Sequence, residues 1–378
     1  MKLNVLLCAG AMAILASCGQ NGYVIEGTFS NADDTVSVQR KAYLYSDFSS
    51  VADTVDIVDG RFCFKGHVDQ PLPYLIGVEG VQGEVEIFLE NAKYTAELVQ
   101  EGPYLGTALV NGGDTQSLYY KIATSHQGVL DKYGLDVNSF MEEYMAEETT
   151  DERRAELDGL LQKIYTESDS LRRLIVDEYR AAHPLSYFDL AGIYNEMMSM
   201  SPDEIAEALQ PYKDAAEYAS HPIVVRITEY LEDNTHLMQG EPAPDFTVPD
   251  TKGKDVTFSS IYPKYKVTMI DFWASWCGPC RNFNPVLVEI YEKYHDKGFE
   301  IVGVSMDNDK ESWLQAIKDD GLGWIQLSDL NYWNTEPREL YNVSYIPQNV
   351  LVDSEGKIIA SKLGEEELEE VLDEYLGE

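Results

Sequence analysis

The sequence predicts a multidomain protein: a leader over 1–17, an N-terminal antiparallel β-sandwich over 18–111, a helical middle region over 112–238 and a C-terminal α/β domain over 239–378. Three observations predict it. Short alternating apolar runs broken by turn residues fill the first part. Leucines at helical spacing fill the second. Strand and helix patterns alternate in the third, beyond a pair of prolines. With 378 residues, 44% of them hydrophobic and 25% charged, the chain can build more than one core and is too apolar for general disorder. The balance of 66 acidic against 28 basic residues gives a net charge of -38. Such a surface repels phosphate backbones, which excludes nucleic acid as a partner; the charge serves solubility.

In order along the chain, the leader has a basic start at Lys2 and an apolar run from Val5 to Ala16, too short to span a bilayer and proportioned like a signal-peptide core. It ends in Leu15-Ala16-Ser17-Cys18, which resembles the lipobox of bacterial lipoprotein precursors. The resemblance implies cleavage before Cys18 and acyl chains on that residue. Two or more chains anchor stably, at roughly 0.8 kcal/mol per buried methylene. The expectation is an envelope protein, lipid-anchored through Cys18 and facing the periplasm; the alternative is a secreted protein in which Cys18 is incidental. No later segment is apolar enough to cross a membrane.

The β region contains "YVIEGTF", "VSVQ", "DTVDIVDGRFCF", "YLIGV", "EVEIFLE" and "YTAELV". Asp59-Gly60, between Val55/Ile57 and Phe62/Phe64, is a two-residue hairpin signal. Cys63 alternates away from Phe62 and Phe64, toward Arg61 and Lys65, and reads as an idle thiol. Gly27, the "DG-F-F" hairpin and "FLEN" (Phe88 to Asn91) are similar to a domain of unknown function common in exported bacterial lipoproteins. In the helical region Leu157, Leu160, Leu161 and Ile164, then Leu171, Leu174 and Ile175, recur at helical spacing. Ser201-Pro202-Asp203-Glu204 has the form of a capping box. Met197, Met198 and Met200 read as gap-fillers in preference to a copper site.

"QGEPAPDF" (Gln239 to Phe246) breaks the periodicity and reads as a domain boundary. After it come a buried-type strand at Val267–Phe272, a helix with Phe283, Leu287, Ile290 and Tyr294 on one face, and Gly298 at its end. "FEIVGVSMD", "IPQNVLVD" and "KIIASK" supply further strands, the last two joined across Ser354-Glu355-Gly356. A closing helix presents Leu368, Val371, Leu372 and Tyr375. This order argues a parallel core with a hairpin at one end.

Chemistry concentrates in "MIDFWASWCGPCR" (Met269 to Arg281), which holds two of the five cysteines. As a staple the Cys277/Cys280 loop is poor, since so short a loop stabilises by only roughly 2 kcal/mol. As a metal site it lacks ligands: outside the leader and anchor the remaining sulfur is Cys63, and the six histidines show no metal-type pairing. As a reactive dithiol it has positive support. The pair lies where a strand gives way to a helix, so backbone N–H groups and the helix dipole favour a thiolate at Cys277. Cys280 can then resolve a mixed disulfide. Pro279 suits an early helical position, and Gly278 permits close approach.

"DFWASWCGPC" resembles the active-site signature of the thioredoxin superfamily, and the segment from Gly240 onward resembles its TlpA/ResA-like branch, membrane-attached thiol–disulfide oxidoreductases. The resemblance implies a thioredoxin-like fold, attack by Cys277, resolution by Cys280 and a redox disulfide between them. It implies further that Ile346-Pro347 is a cis-proline loop offering backbone to the substrate, that Pro285 kinks the active-site helix, and that of Trp273 and Trp276 one packs while the other forms a rim for substrate. Many envelope members carry asparagine in the strand and glutamate past the second cysteine, where this chain has Asp271 and Phe283. Asp271 instead coincides with the buried aspartate of cytoplasmic thioredoxins and is expected to have a raised pKa and to relay protons for Cys280. The lysine that thioredoxins place near it aligns with Gly303.

The leading expectation is therefore a reductant of disulfides in exported proteins, with cytochrome c precursors among the classes it admits. A membrane electron-transfer protein would recharge it, and neither a cofactor nor a metal is implied. The alternatives are a disulfide isomerase or oxidase, and a ligand-binding lipoprotein whose dithiol only senses redox state. Ala274, where a thiol peroxidase wants threonine or serine, speaks against that chemistry.

Overall fold

A computed structural model describes residues 22–31, 40–146 and 148–377. The leader, Cys18 and the "VSVQ" strand expected at 36–39 lie outside the described residues. The chain divides into two compact units, one up to Ala191 and one from Gly192.

In the first unit, the described residues form β1 (Tyr23–Asn31), β2 (Arg40–Ser46), β3 (Ser49–Ile57), β4 (Arg61–Gly66), β5 (Leu72–Val78), β6 (Val85–Leu89), β7 (Lys93–Glu101) and β8 (Tyr104–Gly112). They make two four-stranded sheets, ordered β4-β1-β7-β8 and β3-β2-β5-β6. Alternation buries Ile25, Phe62, Phe64 and Leu98 from the first sheet and Leu44, Ile76, Ile87 and Leu89 from the second. The Asp59-Gly60 hairpin forms as expected. Both residues have positive φ, 50° and 70°, and Val58 and Arg61 exchange backbone hydrogen bonds across the turn. Cys63 lies half-buried between the exposed Arg61 and Lys65. One pairing departs from the antiparallel expectation: β1 and β7 run parallel, with Val24 beside Lys93 and Asn31 beside Gln100. No tight turn joins these two strands, so nothing local forces the antiparallel sense.

The "FLEN" stretch turns out to be structural. The Glu90 carboxylate accepts the Asp114 and Thr115 N–H groups at the start of α1 (Asp114–Tyr133), and Asn91 bridges the N–H and carbonyl of Val68. After α2 (Val137–Met145), the long α3 (Asp151–Ala182) packs Ile164, with Leu160 and Leu171 beside it, against Val129 and Leu130 of α1. Leu174 corrects the periodicity reading: it is 67% exposed, and Val176 takes the buried position on that turn. The helix α4 (Tyr187–Glu196) contains the point where the units divide.

The second unit opens with α5 (Pro202–Asp214), started by the Ser201/Glu204 capping box, and α6 (Pro222–Asn234). The short hairpin of β9 (Thr247–Pro249) and β10 (Asp255–Thr257) precedes the main sheet. That sheet comprises β11 (Val267–Trp273), β12 (Phe299–Ser305), β13 (Ile325–Leu327), β14 (Gln348–Asp353) and β15 (Ile358–Ser361), in the order β13-β12-β11-β14-β15. Here β11, β12 and β13 are parallel, while β14 and β15 are antiparallel, giving the expected parallel core with a terminal hairpin. β11 and β12 are buried at every position, as central strands covered on both faces must be. The helices are α7 (Gly278–Tyr294), α8 (Lys310–Asp319), α9 (Glu336–Leu340) and α10 (Glu365–Leu376). On α10, Leu368 and Leu372 are buried but Tyr375 is exposed, and Leu376 closes the core in its place. The proline-containing stretch read as a boundary lies along β15: Gly240 and Ala243 donate to the Ile358 and Gly356 carbonyls, and Ile358 donates to Glu241. The compositional break at Gln239 is thus no gap in contacts.

Candidate active site

The site forms where buried β11 ends and α7 begins. Cys277 caps α7, its sulfur accepting the Cys280 N–H at 3.1 Å, and it forms a disulfide with Cys280. Cys277 retains 5% exposure against 1% for Cys280, so the first cysteine is the less deeply buried of the two. Gly278 and Pro279 make the first positions of the helix, where missing or unpaired N–H groups cost nothing. The peptide bond between Ile346 and Pro347 is cis, and the Ile346 carbonyl lies 3.8 Å from the Cys277 sulfur. Trp273 is buried and Trp276 exposed, dividing the packing and rim positions between them. A groove of about 300 Å³ next to the start of α7 is lined by Pro279, Phe283, Tyr345, Pro347 and Lys362. Pro285 lies within α7.

Asp271 sits in the middle of β11, buried, with Gly303 of β12 and Asn349 of β14 as register partners. Burial pushes its carboxyl up from an ordinary 3.8 to about 7. Gly303 does occupy the neighbouring position, and a Cβ there would come within 2.4 Å of Gln326 Oε1. That oxygen accepts the Trp273 indole N–H at 3.1 Å. A neutral amide–indole pair thus fills the space beside Gly303, and desolvation alone sets the Asp271 pKa.

Several residues that position the site escape sequence reasoning. The buried Asp307 carboxylate, just past β12, accepts the Ser275 N–H at 2.9 Å and the Ser275 and Ser305 hydroxyls. Arg281 donates to the Ser275 carbonyl at 3.1 Å and is itself held by Asp320, which also accepts from Asn284. The loop before Cys277 is therefore clamped on both its N–H and its carbonyl. The one available signal was an aspartate at the carboxyl end of a buried parallel strand, the end where α/β sites gather.

Residues 238–376 match the Redoxin family and residues 23–119 match a domain of unknown function, DUF4369. The thiol-disulfide oxidoreductase ResA of Bacillus cereus is 30% identical over 147 residues, which span 39% of this chain and 82% of that protein. The chain belongs to the ResA family. It is a thiol-disulfide oxidoreductase with a thioredoxin-like domain at its C-terminus. The same region is similar to part of probable nucleoredoxin 1 of Arabidopsis thaliana, 38% identical over 129 residues, 33% of this chain and 21% of that protein. Among solved structures, the thioredoxin domain of a thiol-disulfide oxidoreductase from Bacteroides vulgatus is 35% identical, covering 37% of this chain and 99% of that one at a TM-score of 0.35.

Proposed function

We propose that this oxidoreductase is a reductant of disulfides in exported proteins, tethered to the envelope through Cys18 on the periplasmic side and working through the Cys277/Cys280 dithiol. The observation that carries the reading is the unequal pair at the start of α7: a Cys277 sulfur held by a helix N–H in the less buried residue, and a more deeply buried Cys280. Reduced Cys277 attacks one sulfur of the client disulfide as a thiolate. The other client sulfur leaves and takes a proton, and a mixed disulfide remains. Asp271, with a carboxyl poised near neutrality, takes the Cys280 proton. The Cys280 thiolate then attacks the Cys277 sulfur and expels the second client thiol. Two electrons pass to the client and the Cys277–Cys280 disulfide forms. A membrane electron-transfer protein returns the two electrons by the same exchange in reverse. Trp276, Gly278, Pro279, Ile346 and Pro347 form the rim along which the client backbone docks. Cytochrome c precursors fit the client class. The reduction potential of the pair, in a soluble form starting after Cys18 and carrying Cys63→Ser, tests the direction. A value near about -270 mV or lower supports the reductant. A value of about -120 to -180 mV overturns it in favour of an oxidant or isomerase.

A further inference from the structure

Trp276 of the docking rim belongs to a wider aromatic group whose other members, Tyr332 and Trp333, the exchange itself does not use. Trp276 is 45% exposed and Tyr332 is 42% exposed, and their ring centroids lie 5.3 Å apart. Trp333 completes the cluster, its ring 6.3 Å from each. Contiguous exposed aromatic rings mark contact surfaces, because leaving them in water wastes their burial energy. The backbone that presents them is strained. Leu330 and Tyr332 have φ of 57° and 56°, in the left-handed region that bulky side chains avoid. Asp307 aligns both ring-bearing segments: its carbonyl accepts the Tyr332 N–H at 3.4 Å, and its carboxylate holds Ser275 next to Trp276.

The chemistry of the cluster favours positive charge. Asp329 and Glu336, both exposed, flank the Tyr332–Trp333 segment on a chain of net charge -38. The guanidinium of Arg338 already lies 6.0 Å over the Trp333 ring, so this cluster accepts a cation, and the Trp276–Tyr332 pair is left open to a second. We propose that Trp276, Tyr332 and Trp333 form an aromatic wall that selects clients carrying a lysine or arginine next to the disulfide to be exchanged. The inference rests on the reading of the site as one that acts on protein disulfides. A basic side chain gains attraction to the ring faces in an acidic field, a neutral one gains only burial, and an acidic one is repelled.

The test uses the reduced full-length protein and disulfide-linked peptides that differ only in the residue beside cysteine: arginine, leucine or glutamate. Arginine is expected to exceed leucine in second-order rate by about 2- to 5-fold, with glutamate slowest. Because the net charge also attracts basic peptides, the diagnostic is the arginine-to-leucine ratio in variants of unchanged charge. It should collapse toward one in Tyr332→Ala and persist in Tyr332→Phe. A ratio equal in wild type and Tyr332→Ala, or leucine reacting as fast as arginine in wild type, overturns the inference. Hydroxyethyl disulfide separates this from failure of the underlying reading. If the wild-type protein reduces neither it nor any peptide, the proposed reading as a disulfide reductant falls; if it reduces all of them without preference, only the wall does.

Discussion

Replacing Asp271 by asparagine should change how the stability of the C-terminal unit depends on pH. In the wild type the carboxyl moves from 3.8 when unfolded to about 7 when folded, because burial disfavours the charged form. Between those values the folded protein holds a proton that the unfolded chain has lost. Stability therefore falls as pH rises from about 4 to about 7 and is level on either side. At about 1.4 kcal/mol for each pH unit, the span is about 4 kcal/mol. An asparagine carries no such titration. Its amide will meet the same pocket, where Asp271 Oδ2 has no hydrogen-bond partner, and any cost of that mismatch is constant with pH. The signature is thus a difference between variant and wild type that grows in the variant's favour by about 4 kcal/mol from pH 4 to pH 8. Urea unfolding of the oxidised proteins, followed by tryptophan fluorescence, reads it directly, since all five tryptophans lie between Trp273 and Trp333. The oxidised form keeps Cys277 and Cys280 out of the titration. A difference that stays flat across this range would refute a buried, proton-holding Asp271. In the reduced protein the same substitution should abolish an inflection near pH 7 in the rate of the resolving step.

Two other perturbations probe neighbouring groups. Cys280→Ser should accumulate a mixed disulfide through Cys277 on non-reducing gels, and the adduct should vanish when Cys277→Ser is added; an adduct that survives would place the attacking thiol elsewhere. Gly303→Ala drives a Cβ to within 2.4 Å of Gln326 Oε1 and should cost about 1–3 kcal/mol by chemical denaturation, with altered Trp273 fluorescence as the indole loses its acceptor.

What could be read in advance follows from how local its cause is. The strand-to-helix junction at Cys277, the Asp59-Gly60 hairpin and the Ser201 capping box each depend on a few consecutive residues, and all stand as expected. The alignment of Gly303 with Asp271 needed one strand pairing, and the register bears it out. The parallel β1–β7 pair, the exposure of Leu174 and the Glu90 contact to α1 depend on which surfaces meet, which periodicity does not encode. The Asp307–Ser275 and Arg281–Asp320 ties join residues far apart in sequence, and each partner alone looks like an ordinary surface polar group. The Tyr332–Trp333 dipeptide could have drawn attention as two large rings in a loop, but only its position beside Trp276 gives it meaning.

The clamp on Ser275 bears on how partners share this enzyme. Its hydrogen bonds come from Asp307 and Arg281 and involve neither sulfur, so opening the disulfide releases no tie on the loop that leads to Cys277. With Cys280 more deeply buried than Cys277, exchange with either partner runs through the one cysteine. In the proposed exchange, the thiol donor that refills it must occupy the face that a client has just vacated. Donor and client then take turns and exclude one another, so an excess of either slows the exchange of electrons with the other.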